Sequence, residues 1–257
     1  MVPPVPYTRF HLLTVIFGAV GILFLTCLLA KQSDRRVRTV LLCVGLFLVL
    51  TELIKQMLVL HVHEGQYSWG NFPFQYCSVP MYLCLLAGAL KDSPVRKAIL
   101  TYLATYGLLG GLIVFTEPSG IFQPYWFLTL HSLAWHYLLA FTGVFLGASG
   151  MTGDEKSDFF GATAVFLVLS SVAFGFNLLF WGASHGEINN FFIGPAISPL
   201  AIYKTIATNY GWYINTPLFM LSVIIGAKLL FVAQQFWHRK YFVETEALHA
   251  ASIHQEE

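Results

Sequence analysis

Seven stretches of this chain are long enough, and poor enough in charge, to cross the roughly 30 Å of hydrocarbon in a bilayer. They run over residues 10–30, 39–60, 73–90, 95–115, 124–147, 159–181 and 214–237. Most lack the alternation of a strand and each is too long for a barrel strand, so all seven read as helices. Composition agrees: 56% of the 257 residues are hydrophobic, 11% are charged and mean hydropathy is +0.66. Soluble domains carry about 25% charged residues. The fold class expected is therefore all-α and polytopic, a single seven-helix membrane domain over residues 1–240 followed by an acidic, mobile tail at 241–257. That excludes a nucleic-acid module, a secreted disulfide scaffold and a soluble nucleotide-binding fold. Residues 10–30 do not read as a cleavable signal, because residues 1–7 carry no basic group and Cys27-Leu28-Leu29 is no small-residue cleavage site.

Charge placement gives an orientation. Lys31, Arg35, Arg36, Arg38, Lys91, Arg96, Lys97, Lys156, Arg239 and Lys240 fall on one side of the seven spans, against only Arg9 and Lys204 on the other. Ten basic residues against two predict an outside N-terminus and a cytoplasmic C-terminus. The basic-side connections are short, and 152–158 reads as a solvated acidic turn. The outer loops differ: 61–72 is rich in His, Gly and aromatics, and 182–213 is long, a length uncommon in loops without a function. There is no internal repeat.

Ionisable and nucleophilic groups inside hydrocarbon are costly and mark function by default. At 1.5 Å per residue, Cys77 falls about 6 Å below the outer boundary, Asn177 about 7 Å, Lys55 about 8 Å, His131 about 10 Å and Glu52 about 12 Å. Five such groups from four spans share one layer. A Cys and a His at matched depth suggest a nucleophile with its general base. Phospholipid ester carbonyls lie in the same layer. Pro73 is expected to open a helix with Cys77 at the end of its first turn, where the helix dipole favours thiolate.

Each residue also has a plainer reading. Cys27, Cys43 and Cys84 suit the part of small apolar fillers. His136 reads as a packing residue, rotated about 140° around the helix from His131. Glu52 and Lys55 share a helical face, so a structural ion pair stands beside a catalytic role. Asn177 can bridge helices, and Lys228 is placed to snorkel toward the cytoplasmic surface. No cysteine spacing suggests a disulfide or a zinc site, and nothing calls for a metal or a soluble cofactor.

Three motifs resemble the YwaF-type integral membrane family of bacteria and its eukaryotic relative, the transmembrane protein 164 family. Pro73-Phe74-Gln75-Tyr76-Cys77 is similar to a Pro-Leu-His-Leu-Cys motif, with Gln75 in place of the His. Leu130-His131-Ser132-Leu133 is similar to a single His followed by small and apolar residues. Asn189 to Ile193, Ser198-Pro199-Leu200 and Gly211-Trp212-Tyr213-Ile214 resemble the family's outer loop, with Asn190 and Gly211 as departures. The resemblance implies an acyltransferase that moves a fatty acyl chain from a phospholipid to a lysophospholipid, with Cys77 as nucleophile and His131 as base. Gln75, Glu52, Lys55, Asn177, Asn189 and Trp212 are then the substrate-contacting or supporting residues, and the partners are those lipids and the bilayer, with no nucleic acid. The expected location is an integral multi-pass one: the inner membrane in a bacterium, the endoplasmic reticulum or Golgi in a eukaryote. A lipid-ester hydrolase on the same Cys and His stays open. So does a transporter or sensor using Glu52 and Lys55, which predicts loss of uptake on changing Glu52 with Cys77→Ser neutral. A retinal protein fits seven helices and Lys228 but finds no Asp or Glu counter-ion in the third span.

Overall fold

The computed structural model describes residues 4–29, 33–153 and 155–238. Lys31, Arg239 and Lys240 of the basic series, Ala30 at the end of the first expected span and the tail 241–257 lie outside the described residues.

Among the described residues the fold is helical, without strands. Five helical segments are long and apolar enough to cross a membrane. They are α1 (Arg9–Leu29), α2 (Asp34–Val62), the segment Pro94–Thr116, α7 (Lys156–Leu179) and α9 (Trp212–His238). Pro94–Thr116 comprises α4 (Pro94–Tyr102) and α5 (Leu108–Thr116), joined without a break through a π-helical turn at Leu103–Gly107. Of the other two expected spans, α6 (Trp126–Ala148) is long but diluted by His131, Ser132 and His136. The other, α3 (Val79–Ala89), has only 11 residues, about 16 Å of helix.

The shortness of α3 corrects the expectation of a helix opening at Pro73. Residues 73–78 form successive turns and Ser78 is the residue before the helix. Pro80 is the cause. A helix running from Pro73 would need the Pro80 N–H to bond the Tyr76 carbonyl; proline has none, and its ring clashes with that carbonyl. The helix therefore starts where Pro80 sits in its first turn, and Cys77 stands ahead of it in non-helical chain. Loop 182–213 is also more ordered than expected, with a 3₁₀ turn at Asn190–Phe192 and α8 (Ala201–Tyr210) lying against α9.

Packing follows small residues and aromatic rings. α2 lies against α3, α4 against α7, α5 against α6, and α1 on the flank of α6. At the α2–α3 crossing, a Cβ on Gly45 would come within 2.8 Å of Leu85, and one on Gly88 within 2.7 Å of Leu42. Small residues thus set the spacing, as they do where van der Waals contact and not water drives helix association. The fully buried Tyr102, Tyr106, Phe145, Phe166 and Phe191 fill the centre. On the outside the relation is reversed: Phe17 is 70% exposed, Phe24 62% and Leu229 67%. A wall of such residues suits lipid and not water.

One end of the bundle is tied by charge. Asp34 accepts from Arg38 at 2.6 Å and from Arg96 at 2.7 Å, and Arg96 also donates to the Ala87 carbonyl at 3.0 Å. This knot joins the start of α2, the end of α3 and the start of α4. Asp158, expected in a solvated turn, is instead 11% exposed; it pairs with Lys97 at 3.1 Å and accepts from the Glu155 N–H at 3.0 Å in a capping box. Lys228 turns toward two aromatic rings near the start of α7. Its ammonium lies 4.6 Å from the ring centres of both Phe159 and Phe231, whose faces attract the cation.

Candidate functional site

At the end of the bundle away from the Asp34 knot, a cavity of about 790 Å³ opens between α2, the 69–78 segment, the 120–125 loop, α6 and the 189–199 loop. Cys77, His131, Gln75, Glu52, Lys55 and Asn189 all line it. Residues far apart in sequence, on separate elements, thus converge on one space. Asn177 and Trp212 do not line it.

The segment carrying Cys77 is irregular chain within an apolar bundle, tolerated only where it lines a cavity or is buried in protein. Its backbone is held by side chains. The Trp135 indole N–H donates to the Cys77 carbonyl at 2.8 Å, and the Tyr82 hydroxyl to the Pro73 carbonyl at 2.8 Å. The Tyr76 hydroxyl donates to the Tyr106 carbonyl at 2.6 Å. Tyr106 lies in the π-turn, whose wider spacing releases carbonyls from the helical ladder. Gln234 of α9 takes another, the Ala104 carbonyl, at 2.7 Å. The π-turn thus docks the segment next to the thiol and stitches α9 to the core.

Charge sits on the α2 wall. The Lys55 ammonium meets the Glu52 carboxylate at 2.8 Å, and the same oxygen accepts from Gln56 at 2.7 Å. Gln56 also donates to the Asn71 carbonyl at 2.6 Å, which ties the pair to the cavity's lip. Glu52 is 3% exposed, yet three polar side chains within one turn of α2 meet there. The pair lines the same cavity as Cys77 and His131.

On α6, the His131 ring lies 5.2 Å from Trp135, the residue that holds the Cys77 carbonyl. His131 Nε2 is buried without a protein partner, as are Asn189 Oδ1 and Asn190 Nδ2. Asn190 also accepts from Gln75 at 3.3 Å. Buried polar atoms are nearly always paired, and two of these orphans, on His131 and Asn189, line the cavity, which marks a surface suited to a polar ligand. His136, buried and bonded to the Ser132 carbonyl, lines the cavity too.

Asn177 works one layer back. Its carbonyl oxygen accepts from the Asn190 N–H at 2.8 Å, and its amide donates to the Asn190 carbonyl at 2.9 Å and to the Ile193 carbonyl. Between them Phe191 and Phe192 have φ of +56° and +55°, a left-handed backbone that bulky residues rarely adopt. Asn177 holds this strained turn, and with it Asn189 and Phe192 on the cavity wall. Trp212 packs on Phe174, with ring centres 5.8 Å apart. Glu187 fastens the two far-end loops together, accepting from the Ser68 hydroxyl and the Trp69 and Gly70 N–H groups at 3.0–3.2 Å. The sequence pattern alone does not single out Gln56, Trp135, Tyr76 or Glu187. Two of them carry a signal, since Gln56 and Trp135 lie four residues from Glu52 and His131 on the same helical faces.

A bundle of apolar helices with a polar, ion-paired cavity at one end is an integral multi-pass membrane protein. The chain belongs to the TMEM164 family, whose model matches residues 6–229. No curated protein and no solved structure matches it.

Proposed function

We propose that this protein is a membrane acyltransferase that carries a fatty acyl group from a phospholipid to a lysophospholipid on Cys77. The observation that carries the reading is the convergence of Cys77 and His131 on one cavity, at a helix interrupted by Pro80. His131 takes the thiol proton, and the thiolate adds to the donor's ester carbonyl. The ester C–O bond breaks, the leaving alkoxide takes the proton back from His131, and a thioester remains on Cys77. A lysophospholipid hydroxyl then attacks the thioester and releases the thiol. The amide of Gln75, on the cavity wall, supplies hydrogen-bond donors for developing negative charge.

The membrane setting is part of the proposal: seven crossings, with α3 and the 73–78 segment together making the third, an outside N-terminus and the cavity in the outer half of the bilayer. Basic residues gather at the Asp34 end, which supports that direction. At this depth Cys77 meets ester carbonyls and His131 has no need of bulk water.

The test is transfer in vesicles, with the purified protein, a phospholipid labelled in its acyl chain and an unlabelled lysophospholipid. Label should pass to the second lipid. Cys77→Ala should abolish it, His131→Ala should slow it by roughly 10²–10⁴-fold, and Cys84→Ala, whose sulfur is buried in the core, should leave it near wild type. Full transfer by Cys77→Ala sinks the proposal. Free fatty acid as the sole product, with the same dependence on Cys77, makes the protein a hydrolase.

A further inference from the structure

The chemistry of Cys77 and His131 leaves a second histidine of the cavity unused. His136 is 7% exposed yet lines the same space as those two residues. Its Nδ1 lies 2.7 Å from the Ser132 carbonyl oxygen. A carbonyl only accepts, so Nδ1 carries the proton and Nε2 keeps its lone pair. A histidine whose tautomer is fixed by a third group is built as a base.

His131 is set differently. Its Nε2 has no partner, its ring lies beside Trp135, and it lines the same cavity as the Glu52–Lys55 pair and Cys77. His136 is fixed instead by its own helix, through the Ser132 carbonyl. Both histidines come from α6 and line the cavity, each in its own setting. Five residues along α6 amount to about 7.5 Å, but the bond to the carbonyl four residues back turns the His136 ring up toward the level of Ser132. On an ideal helix the two side chains leave α6 about 140° apart, and both line the cavity.

We propose that His136 is a second catalytic base, which serves the acceptor lipid's hydroxyl after His131 has served the thiol. This rests on the acyltransferase reading. In the second half-reaction the acceptor's O–H proton passes to His136 Nε2 and its oxygen forms the new C–O bond to the thioester carbon. The C–S bond breaks, and the departing thiolate recovers the proton from the imidazolium. Two bases in one cavity let each half-reaction use its own imidazole.

The test separates the half-reactions. Full-length wild type, His136→Asn, His136→Gln and His131→Ala are placed in vesicles of a single phospholipid, and intact mass is followed before and after lysophospholipid is added. His136→Asn keeps an amide donor for the Ser132 carbonyl but has no basic nitrogen. It should acquire the acyl adduct at about the wild-type rate and then hold it, with discharge to the acceptor slowed about 10²-fold or more. His136→Gln, which places a non-basic amide where Nε2 stood, should do the same, and His131→Ala should acquire little adduct. Discharge at the wild-type rate from either His136 variant overturns the proposal. So does failure to acylate in a variant with unchanged melting temperature, which would put His136 in the first half. A wild type that never carries an acyl group overturns the cysteine chemistry itself, and is thereby told apart from the failure of His136 alone.

Discussion

Glu52 and Lys55 are bound by a simple constraint: each is tolerable inside an apolar bundle only because of the other. Their contact is 2.8 Å, at 4% and 14% side-chain exposure. Taking away one charge strands its partner, at about 2.5–3.5 kcal/mol on membrane-insertion scales. Lys55→Met should therefore lower the melting temperature in detergent more than Lys55→Met combined with Glu52→Gln. A double variant no better than the single one would mean that the two do not depend on each other. Trp135 gives a second residue-scale expectation. Trp135→Phe keeps a ring against His131 but loses the bond to the Cys77 carbonyl, worth about 0.5–1.5 kcal/mol. Transfer should fall through the chemical step while the melting temperature drops only slightly; unchanged transfer would show that the thiol needs no such anchor.

Among the elements, the interrupted third helix matters most. Pro80→Ala restores the missing N–H and removes the ring that stops the helix, so α3 can extend toward Pro73. Stability should hold or rise while transfer collapses, because a regular helix carries Cys77 off the cavity wall; circular dichroism and the transfer assay together check this. Retained activity with increased helicity would mean that the irregular segment is not needed. On the opposite wall, Asn177→Ala should raise hydrogen exchange across 190–193 and weaken transfer without touching the cavity itself. These elements also mark how far the sequence alone reaches. Apolar length reveals the helices because lipid demands it. Depth counting finds Cys77, His131, Glu52 and Lys55 because polar and charged groups in hydrocarbon cost too much to be kept without a task. Pro80 is in plain view, but its effect depends on which carbonyl lies four residues back. Whether Asn177 faces the cavity or stands behind it is not legible, since rotation about a helix axis has no counterpart in a hydropathy pattern. Glu187 and the π-turn act through partners distant in sequence, which no local spacing reveals.

For the molecule as a whole, two claims are open to direct measurement. The Asp34 knot joins three helix ends through one carboxylate, so Asp34→Asn should destabilise the bundle by roughly 1.5–3 kcal/mol while the distant cavity keeps its chemistry. The direction of insertion is tested by a cysteine at Ala183, exposed in the loop after α7. That position suits a side chain better than Gly186, whose φ is +81°. In a background without the native thiols, an impermeant reagent should label it from outside intact cells. Labelling only after permeabilisation would invert the protein and move the cavity to the other leaflet.

The most direct test of the cysteine chemistry is the mass of the intact wild-type protein after incubation with one defined phospholipid and no acceptor. The expected result is a single added acyl group, mapped to the peptide containing Cys77, removed by hydroxylamine as a thioester is, and absent from Cys77→Ala. A wild-type mass that stays unchanged while labelled acyl chains still move between lipids would contradict it, because transfer would then proceed without a covalent intermediate on Cys77.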